Sequence, residues 1–310
     1  MASRIELRQM RYFLAVAETL HFGRAASKLQ IAQPNLSLQI QKIERALGHA
    51  LFNRSTRGVT LTAAGTFLAQ RTEELQIRFD EALQTAQRIG KGEEGTLSVG
   101  FSGSAMYGHL PFVLDHFRRR YPKVEVKLRE MYAHEQAPLL LNGTLDVGFI
   151  RDGSATDGLR MTPLSREPFH AVFPQSHRLA AVQGPLSPRE LEAERFVLFT
   201  PKMARLAFER TLAVCAAAGF TPEIALEAPQ WVTIISLVAA GMGVSIAPAS
   251  VARLNIPGAM FRPLRSKAWS SIDLWTESSM SNPAAAHLLA IAKEVFAKSP
   301  ERSSDLRRNC

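Results

Sequence analysis

The feature that most constrains the fold is a pair of short helical segments at residues 22–48, FGRAASKLQIAQPNLSLQIQKIERALG. The second segment repeats apolar residues at helical spacing, at Leu36, Ile40, Ile43 and Leu47. At about 100° per residue these side chains share one face, which is therefore predicted to be buried. Pro34 falls in the first turn, where a missing N–H costs little, and Gly48 ends the helix. The opposite face is polar except at Leu38, which is predicted to point outward.

Two short helices joined by a tight turn, the second with a polar outer face, are typical of a helix-turn-helix. A further helical segment precedes them at residues 7–20. Residues 51–62 have β-favouring side chains around a basic tip and predict a two-stranded wing. The N-terminal segment is therefore predicted to form a mainly α winged helix-turn-helix domain.

Positive charge is concentrated in this same segment. The 310-residue chain has a net charge of +9, and residues 1–61 carry +6 of it, from nine basic and three acidic residues. The basic residues are Arg4, Arg8, Arg11, Arg24, Lys28, Lys42, Arg45, Arg54 and Arg57. This distribution favours a polyanionic partner for the first fifth of the chain.

A long helical segment follows at residues 62–89. Its apolar or small residues recur at heptad spacing, at Leu68, Thr72, Leu75, Phe79, Ala82, Ala86 and Ile89. Such a seam predicts a helix that pairs with the same helix of another copy. Packing of this helix on its own domain is the alternative. The following segment, GKGEEG at residues 90–95, is predicted to be a flexible hinge.

From Thr96 onward, predicted strands and helices alternate, which indicates an α/β architecture with largely parallel sheets. The predicted strands are 96–101, 124–130, 145–150, 169–174, 196–199, 223–227, 244–248 and 271–276. The predicted helices are 106–120, 134–142, 204–218, 230–240 and 282–297. The polar C-terminal tail is predicted to be disordered.

Composition excludes several other classes. Two cysteines, Cys215 and Cys310, are too few for a disulfide framework or a cysteine-based zinc site. The N-terminus has no secretory signal pattern. Residues 231–251 are apolar enough to resemble a membrane span, but two glycines interrupt them and Pro248 follows. A helix, a turn and a buried strand explain this window better, and a cytoplasmic protein without membrane association is expected.

The sequence does not predict an enzyme. GFSGS at residues 100–104 nearly fits the nucleophile motif G-x-S-x-G, but its fifth residue is Ser104 instead of glycine. The sequence has no P-loop, no dinucleotide-binding glycine motif and no HExxH zinc motif. The eight histidines lack ligand spacing, and neither a cofactor nor a metal is predicted.

Taken together, residues 7–65 resemble the N-terminal winged helix-turn-helix of LysR-type transcriptional regulators. In the second part, GFSGSAMYGHLP, REMYAHEQ, LDVGFIR and LVAAGMGVSIAPASVARL resemble the branch that senses aromatic-degradation intermediates such as muconates. The resemblance implies a sequence-specific regulator that binds double-stranded operator or promoter DNA as a homodimer or homotetramer and contacts RNA polymerase. It also implies a periplasmic-binding-protein-like effector domain, with two α/β lobes and a ligand cleft between them.

The predicted organisation combines these expectations. Residues 1–61 form the DNA-binding domain, 62–90 a linker (dimerisation) helix, 91–300 the effector-binding domain, and 301–310 a disordered tail. The resemblance places lobe I at about 95–165 and 268–300, and lobe II at about 166–267, with chain crossings near 165–170 and 262–267.

The recognition helix is expected to enter the major groove by its N-terminal half. The predicted DNA contacts are Gln33, Pro34, Asn35, Ser37, Leu38, Gln41, Lys42, Arg54 and Arg57. The family commonly has a second proline at Asn35 and an arginine at Leu38, so the operator preference of relatives does not transfer. Burial of Leu38 against its own domain is the alternative. Arg54 and Arg57 flank a wing tip suited to the minor groove or its phosphates, and a solvated loop is the alternative.

Ligands of a two-lobed α/β domain lie at the carboxyl ends of strands, near helix N-termini that favour anions. Ser102 and Ser104 follow the first strand, and Arg151 follows LDVGFI, where its charge suits an anionic ligand. The resemblance adds Ala133 and Thr200 to Ser104 and Arg151 as effector contacts. Relatives that sense muconate often carry a hydroxyl residue where this chain has Ala133. A helix cap is the alternative role for Ser104.

The predicted function is therefore a transcriptional regulator that responds to a small, anionic effector, either an aromatic acid or a muconate-like compound. A DNA-binding regulator or architectural protein with no small-molecule inducer is the alternative.

Overall fold

The computed structural model describes residues 5–56 and 58–298. The chain divides into two compact units between Gln87 and Arg88. Arg57, a predicted DNA contact, and the predicted disordered tail lie outside the described residues. Within the described part of the chain, no helix has the length and apolar character needed to cross a membrane.

The first unit contains the winged helix-turn-helix and most of the long helix that follows it. Its elements are α1 (Leu7–Thr19), α2 (Phe22–Lys28), α3 (Gln33–Leu47), β1 (Phe52–Ser55), β2 (Gly58–Leu61) and residues 63–87 of α4 (Ala63–Gly90). β1 and β2 pair antiparallel and form the wing. These elements begin and end within one or two residues of their predicted positions, because each has a strong local pattern or a turn residue at its boundary.

The apolar face of α3 is buried as predicted. Leu36 and Ile40 have no exposed surface, and Ile43 is 1% exposed, within a core shared with α1 and α2. The prediction that Leu47 is buried is wrong, because this side chain is 43% exposed. Leu47 is the last residue of α3, and the left-handed Gly48 (φ +74°) turns the chain away directly after it.

The Glu44 carboxylate links the recognition helix α3 to the start of the wing by hydrogen bonds. Glu44 of α3 accepts backbone N–H bonds from Leu51 (2.9 Å) and Phe52 (3.2 Å). Gly65 lets α4 approach the same point, since a Cβ at this position would lie 2.1 Å from the Leu51 carbonyl oxygen. The orientation of the wing is therefore coupled to that of the recognition helix.

Helix α4 changes character along its length. Leu68 packs on the core of the first unit, and the buried Thr72 hydroxyl lies 3.7 Å from the Met10 sulfur. Farther along, large apolar side chains are exposed, namely Leu75, Ile77, Phe79, Leu83 and Ile89. The first positions of the predicted seam therefore pack within their own unit, whereas the later ones face solvent in the single chain.

The second unit is α/β, as predicted. Its strands are β3 (Glu94–Phe101), β4 (Lys123–Glu130), β5 (Val147–Arg151), β6 (Leu159–Pro174), β7 (Arg195–Phe199), β8 (Glu223–Ala228), β9 (Ser245–Pro248), β10 (Ala259–Pro263) and β11 (Trp269–Glu277). Its α-helices are α5 (Leu110–Arg120), α6 (Ala133–Leu141), α7 (Arg205–Ala217), α8 (Trp231–Ala239) and α9 (Pro283–Ala297). The predicted helix 106–120 is instead a short 3₁₀ helix, Gly103–Tyr107, followed by α5.

The prediction of largely parallel sheets is wrong. β3 pairs parallel with β4 and β5, and β7 pairs parallel with β8. However, β11 is antiparallel to both β5 and β6, and β9 and β10 are antiparallel to β6. The β11 pairs are antiparallel because the C-terminal part of the chain returns in the opposite direction into a sheet begun by parallel strands.

The long strand β6 belongs to two lobes. Its first part, up to Pro168, pairs with β11, and its second part, from Phe169, pairs with β9 and β10. Lobe I is built on β3, β4, β5 and β11 with α5, α6 and α9, and lobe II on β7 to β10 with α7 and α8. The chain returns from lobe II to lobe I between β10 and β11.

Candidate functional site

The first candidate surface is the outer face of α3. Gln33, Pro34, Asn35, Gln41 and Lys42 are exposed there, and Ser37 is half-buried. Leu38 is 45% exposed at the centre of this face, so it is not buried against its own domain. The face is thus mostly polar and basic, with one large apolar side chain available to a partner.

Arg54 lies near the turn of the wing, in the ladder pair with Val59. Its guanidinium lies 4.6 Å from the centroid of the Phe22 ring and 3.4 Å from the Glu44 carboxylate, while 39% of the side chain remains exposed. These contacts restrain Arg54 close to the exposed face of α3. A phosphate beside it would compete with Glu44 for the guanidinium.

The second candidate site is a cavity of about 430 Å³ between the two lobes. It opens at the carboxyl ends of β3, β4, β5, β7 and β8, where ligands of α/β sheets are expected. Four of the predicted effector residues line it: Ser102, Ser104, Ala133 and Arg151. Walls that the sequence did not single out include Tyr107, Glu130, Phe199, Met203 and Trp231.

Thr200, the fifth predicted effector residue, is not among the residues that line the cavity. Its backbone carbonyl accepts the N–H groups of Met203 (3.0 Å) and Ala204 (3.2 Å). Thr200 thereby forms the turn that leads into α7, which brings the later residues Met203 and Ala204 to the cavity.

Arg151 lies in the cavity wall, but its donors are already used. A guanidinium has five N–H donors, and these contact the Ser104 hydroxyl (2.8 Å) and carbonyl (3.2 Å), the Ser250 hydroxyl (3.1 Å), the Ser270 hydroxyl (2.9 Å) and the Glu167 carboxylate. A ligand carboxylate would have to displace one of these acceptors. Arg151 therefore acts in this structure as a buried connector.

Glu167 completes this connection between the lobes. It lies on β6, and its carboxylate accepts both the N–H (2.6 Å) and the hydroxyl (2.9 Å) of Ser250, which is in lobe II. From lobe I, Arg151 donates to the hydroxyl oxygens of both Ser250 and Ser104. Ser104 thus links the cavity wall to the crossing strand, because its hydroxyl oxygen accepts a hydrogen bond from Arg151.

A second buried acidic group lies beside the crossing strands. The Asp152 carboxylate accepts the Ser270 hydroxyl (2.9 Å) and the Ser271 N–H (2.8 Å), and Arg210 of lobe II is 3.8 Å away. Burial raises the pKa of both Asp152 and Asp273, and the Asp152 charge raises the pKa of Asp273 further. These carboxyl groups therefore favour the protonated form more than exposed ones do.

Aromatic rings form the sides of the cavity. The Tyr132 and His134 rings are stacked, with centroids 5.9 Å apart, and Phe199 meets Trp231 edge to face at 4.7 Å. The Tyr132 hydroxyl donates to the Pro229 carbonyl (3.2 Å), so it bridges the cleft from lobe I to lobe II. A flat, partly apolar molecule fits between such walls.

The electrostatics of the cavity come from backbone as much as from side chains. Ala133, Arg205 and Trp231 line the cavity and are the first residues of α6, α7 and α8. Helix N-termini carry partial positive charge and free N–H groups, which favour an anion. Arg205 itself pairs with Glu209 at 2.7 Å.

The described residues contain one cysteine and no cluster of metal ligands. Cys215 is fully buried, and burial raises the pKa of its thiol to about 12, so the thiolate is scarce at neutral pH. Across residues 5–56 and 58–298, no cluster of histidine, cysteine and acidic side chains is arranged to hold a metal ion.

Comparison with known proteins identifies the family to which both parts of the chain belong. The family model described as "Bacterial regulatory helix-turn-helix protein, lysR family" matches residues 7–66, and that described as "LysR substrate binding domain" matches residues 90–297. The chain belongs to the LysR family. It is a DNA-binding transcriptional regulator with a substrate-binding domain, and its relatives are regulators, not enzymes.

Similar proteins span nearly the whole chain. The uncharacterized HTH-type transcriptional regulator YnfL of Escherichia coli (strain K12) is 39% identical, over 91% of this chain and 95% of its own length. The HTH-type transcriptional regulator XapR of the same organism is 35% identical, over 93% and 97%. Among solved structures, the protein in the crystal structure of full-length CbnR complexed with the target DNA is 28% identical in sequence to this chain. The structural match covers 94% of this chain and 99% of that chain, with a TM-score of 0.80.

Proposed function

We propose that this regulator binds operator DNA through the N-terminal half of α3 and the wing, as a homodimer or homotetramer paired through α4. The exposed polar and basic face of α3 supports the first part, and the exposed apolar residues of α4 support the second. The solved complex of CbnR with its target DNA is a precedent for a similar full-length chain. Action on DNA together with RNA polymerase would place the regulator in the cytoplasm.

The proposed effector is a small anionic compound, an aromatic acid or a muconate-like acid, bound between the lobes. The observation that carries this proposal is the cavity itself, where three helix N-termini meet aromatic side walls. The N-termini supply the attraction for a carboxylate, and the rings supply the contact for a flat body. Ser102, Ser104 and Ala133 are the proposed contacts at the lobe I wall, with Arg151 behind Ser104.

The proposed mechanism is a shift in population between open and closed lobes. A ligand that contacts both lobes binds the closed arrangement better and stabilises it. In an oligomer, closure would change the relative placement of the DNA-binding units, relax DNA bending and alter the contact with RNA polymerase. No covalent step is involved.

The alternative is a regulator without a small-molecule inducer. A formed cavity with a mixed polar and aromatic lining argues against it. One experiment distinguishes the two functions. Only the regulator with an anionic effector predicts that an added acid changes how the protein occupies its operator.

Operator sites can be obtained by selection from randomised duplexes with the full-length protein. Footprints on the selected site are then compared with and without benzoate and cis,cis-muconate, for the native chain and Ser104→Ala. We expect Ser104→Ala to bind the operator normally and to respond less to the acid, because the change alters the cavity wall and leaves an Arg151 donor unpaired. Ser236→Ala, an exposed serine on α8, is the matched control. A native footprint that no acid changes would favour the alternative.

A further inference from the structure

Gln136 is a polar residue of α6 that the fold buries completely. Its side chain has no exposed surface, and its amide lies against Gly100 of β3 and Gly148 of β5 in the sheet of lobe I. Burying an amide costs free energy unless the amide is hydrogen-bonded. The contacts of the Gln136 amide therefore indicate what this side chain contributes.

Two glycines leave space in the sheet for this amide. Gly100 and Gly148 lie directly opposite each other in the parallel pairing of β3 with β5. A Cβ would lie 2.9 Å from the Gln136 Oε1 atom at Gly100, and 2.6 Å from the same atom at Gly148. Neither glycine has a positive φ, so close approach of other side chains is the reason for both. The Gln136 amide therefore fits between α6 and the sheet.

The nitrogen of the amide is bonded to the chain that forms one wall of the cavity. The Gln136 Nε2 atom donates to the Met131 carbonyl at 3.1 Å, and the Met131 N–H donates to the Phe101 carbonyl of β3 at 3.0 Å. Met131 is thus connected both to the sheet and to α6. It begins the wall segment, residues 131–135, all of which line the cavity.

The oxygen of the same amide has no hydrogen-bond partner among the residues that the structure describes. An unpaired buried acceptor destabilises a fold. Rotating the amide would not help, because Oε1 would then face the Met131 carbonyl oxygen. An apolar residue of the same length would therefore serve stability as well or better, and the specific contribution of Gln136 is its bond to the wall segment.

We propose that Gln136 is a positioning residue of the effector site, which fixes the wall segment against the sheet of lobe I. The inference rests on the proposed function, in which an acid binds in this cavity. The wall segment contains the first residues of α6, whose free N–H groups favour an anion. It also contains Tyr132, whose hydroxyl reaches the Pro229 carbonyl of lobe II. Gln136 does not line the cavity, so it acts through these residues.

The variant Gln136→Met keeps the length of the side chain and removes both the unpaired oxygen and the donor to Met131. We expect the urea midpoint, followed by tryptophan fluorescence, to stay the same or rise, because the unpaired acceptor is gone. We expect amide hydrogen exchange in the wall segment to become about fivefold faster, because local opening then breaks one hydrogen bond fewer. Exchange is measured by mass spectrometry on the full-length protein without a ligand.

The second measurement is the affinity for benzoate and cis,cis-muconate, determined by titration calorimetry with the full-length protein. We expect both acids to bind Gln136→Met about fivefold more weakly, because the ligand must then order the wall segment itself. Leu140→Met is the matched control. Leu140 is equally buried, lies one turn later on α6 and is beside the same Gly148, so this variant should keep the native exchange and affinity.

The outcomes separate this inference from the proposed function. Native exchange rates in the wall segment of Gln136→Met, or a loss of stability without faster exchange there, would contradict the role of Gln136. Acids that bind the native protein and Gln136→Met equally well would contradict it too. If neither acid binds the native protein, the proposed effector is contradicted, and the exchange rates still decide whether Gln136 fixes the wall segment.

Discussion

Leu38 is a single apolar side chain on the polar outer face of α3. It is 45% exposed between polar neighbours, at a position where the family commonly has arginine. An apolar side chain in the major groove contacts the methyl group of thymine, but it cannot donate to the acceptors of guanine. We therefore expect Leu38 to separate the operator preference of this chain from that of arginine-containing relatives.

The change Leu38→Arg is expected to redistribute base preference at one position of each half-site, towards guanine. A bidentate arginine contact discriminates by about 1–3 kcal/mol against other bases. Selection from randomised duplexes and sequencing measure this effect. Leu47→Arg is the matched control, because Leu47 is equally exposed (43%) at the other end of the same helix. If both variants select the same sites as the native protein, Leu38 does not contact bases.

The buried acids beside the crossing strands give the second residue-scale prediction. Since folding raises the pKa of Asp152 and Asp273, the folded state retains protons that the unfolded state releases. Their contribution to stability is fully present below the ordinary carboxyl pKa of about 3.9, and it is lost as the pH rises through the raised values. Neutral pH is therefore unfavourable for this pair.

Asp273→Asn is expected to increase the free energy of unfolding of the second unit at pH 7, by about 1 kcal/mol, and to weaken its decline between pH 4 and 7. The asparagine oxygen can still accept the Ser271 hydroxyl. Urea unfolding followed by tryptophan fluorescence reports this unit, which contains Trp231, Trp269 and Trp275. The exposed change Asp157→Asn should have no such effect. A free energy of unfolding that depends more steeply on pH in Asp273→Asn than in the native protein would disprove the repulsion between the Asp152 and Asp273 carboxylates.

Sequence position predicted residues of the cavity wall, but it did not predict their hydrogen-bond partners. Ser102, Ser104 and Arg151 were predicted because each follows a strand, and strand ends meet in space. Ala133 was predicted from the family resemblance. The partners of Arg151 were not found, because Glu167, Ser250 and Ser270 lie 16, 99 and 119 positions away. Glu130 was missed for a related reason: as an exposed residue at the end of a charged strand it has no local signal.

At the scale of elements, local periodicity predicted the helices well and the strand pairing poorly. The first half of β6 was missed because its sequence, LRMTPLSREP, contains two prolines and little alternation. β10 is short and borders a proline, so its pattern is equally weak. Strand direction was predicted wrongly since antiparallel return of the chain through β11 depends on contacts remote in sequence.

Helix α4 carries the element-scale prediction. Phe79 is 48% exposed on the face that would pair with another copy. Phe79→Glu is expected to shift the protein to a smaller oligomer, because an unpaired carboxylate in the interface costs about 3 kcal/mol or more. Light scattering after size exclusion measures this shift. Gln84→Glu places the same charge on the opposite face of the helix and should leave the oligomer intact. Equal masses for both variants would place the pairing surface elsewhere.

At the scale of the whole molecule, one unit carries the helix-turn-helix and the other carries the family's substrate-binding domain. The resemblance implied both, and the separation between Gln87 and Arg88 falls within the last turn of α4. Because the boundary lies inside a helix, composition does not mark it, and the predicted hinge at residues 90–95 lies just beyond it. The hydrogen bonds of Arg151 join the two lobes of the second unit.

The strand β6 gives the second unit an unusual mechanical property. A single stretch of 16 residues serves both lobes, so one lobe cannot rotate without twisting that strand. In the proposed closure of the lobes, such a twist would be shared among the backbone dihedrals of the strand. The resistance to closure would then depend on residues along all of β6, including positions that never touch a ligand.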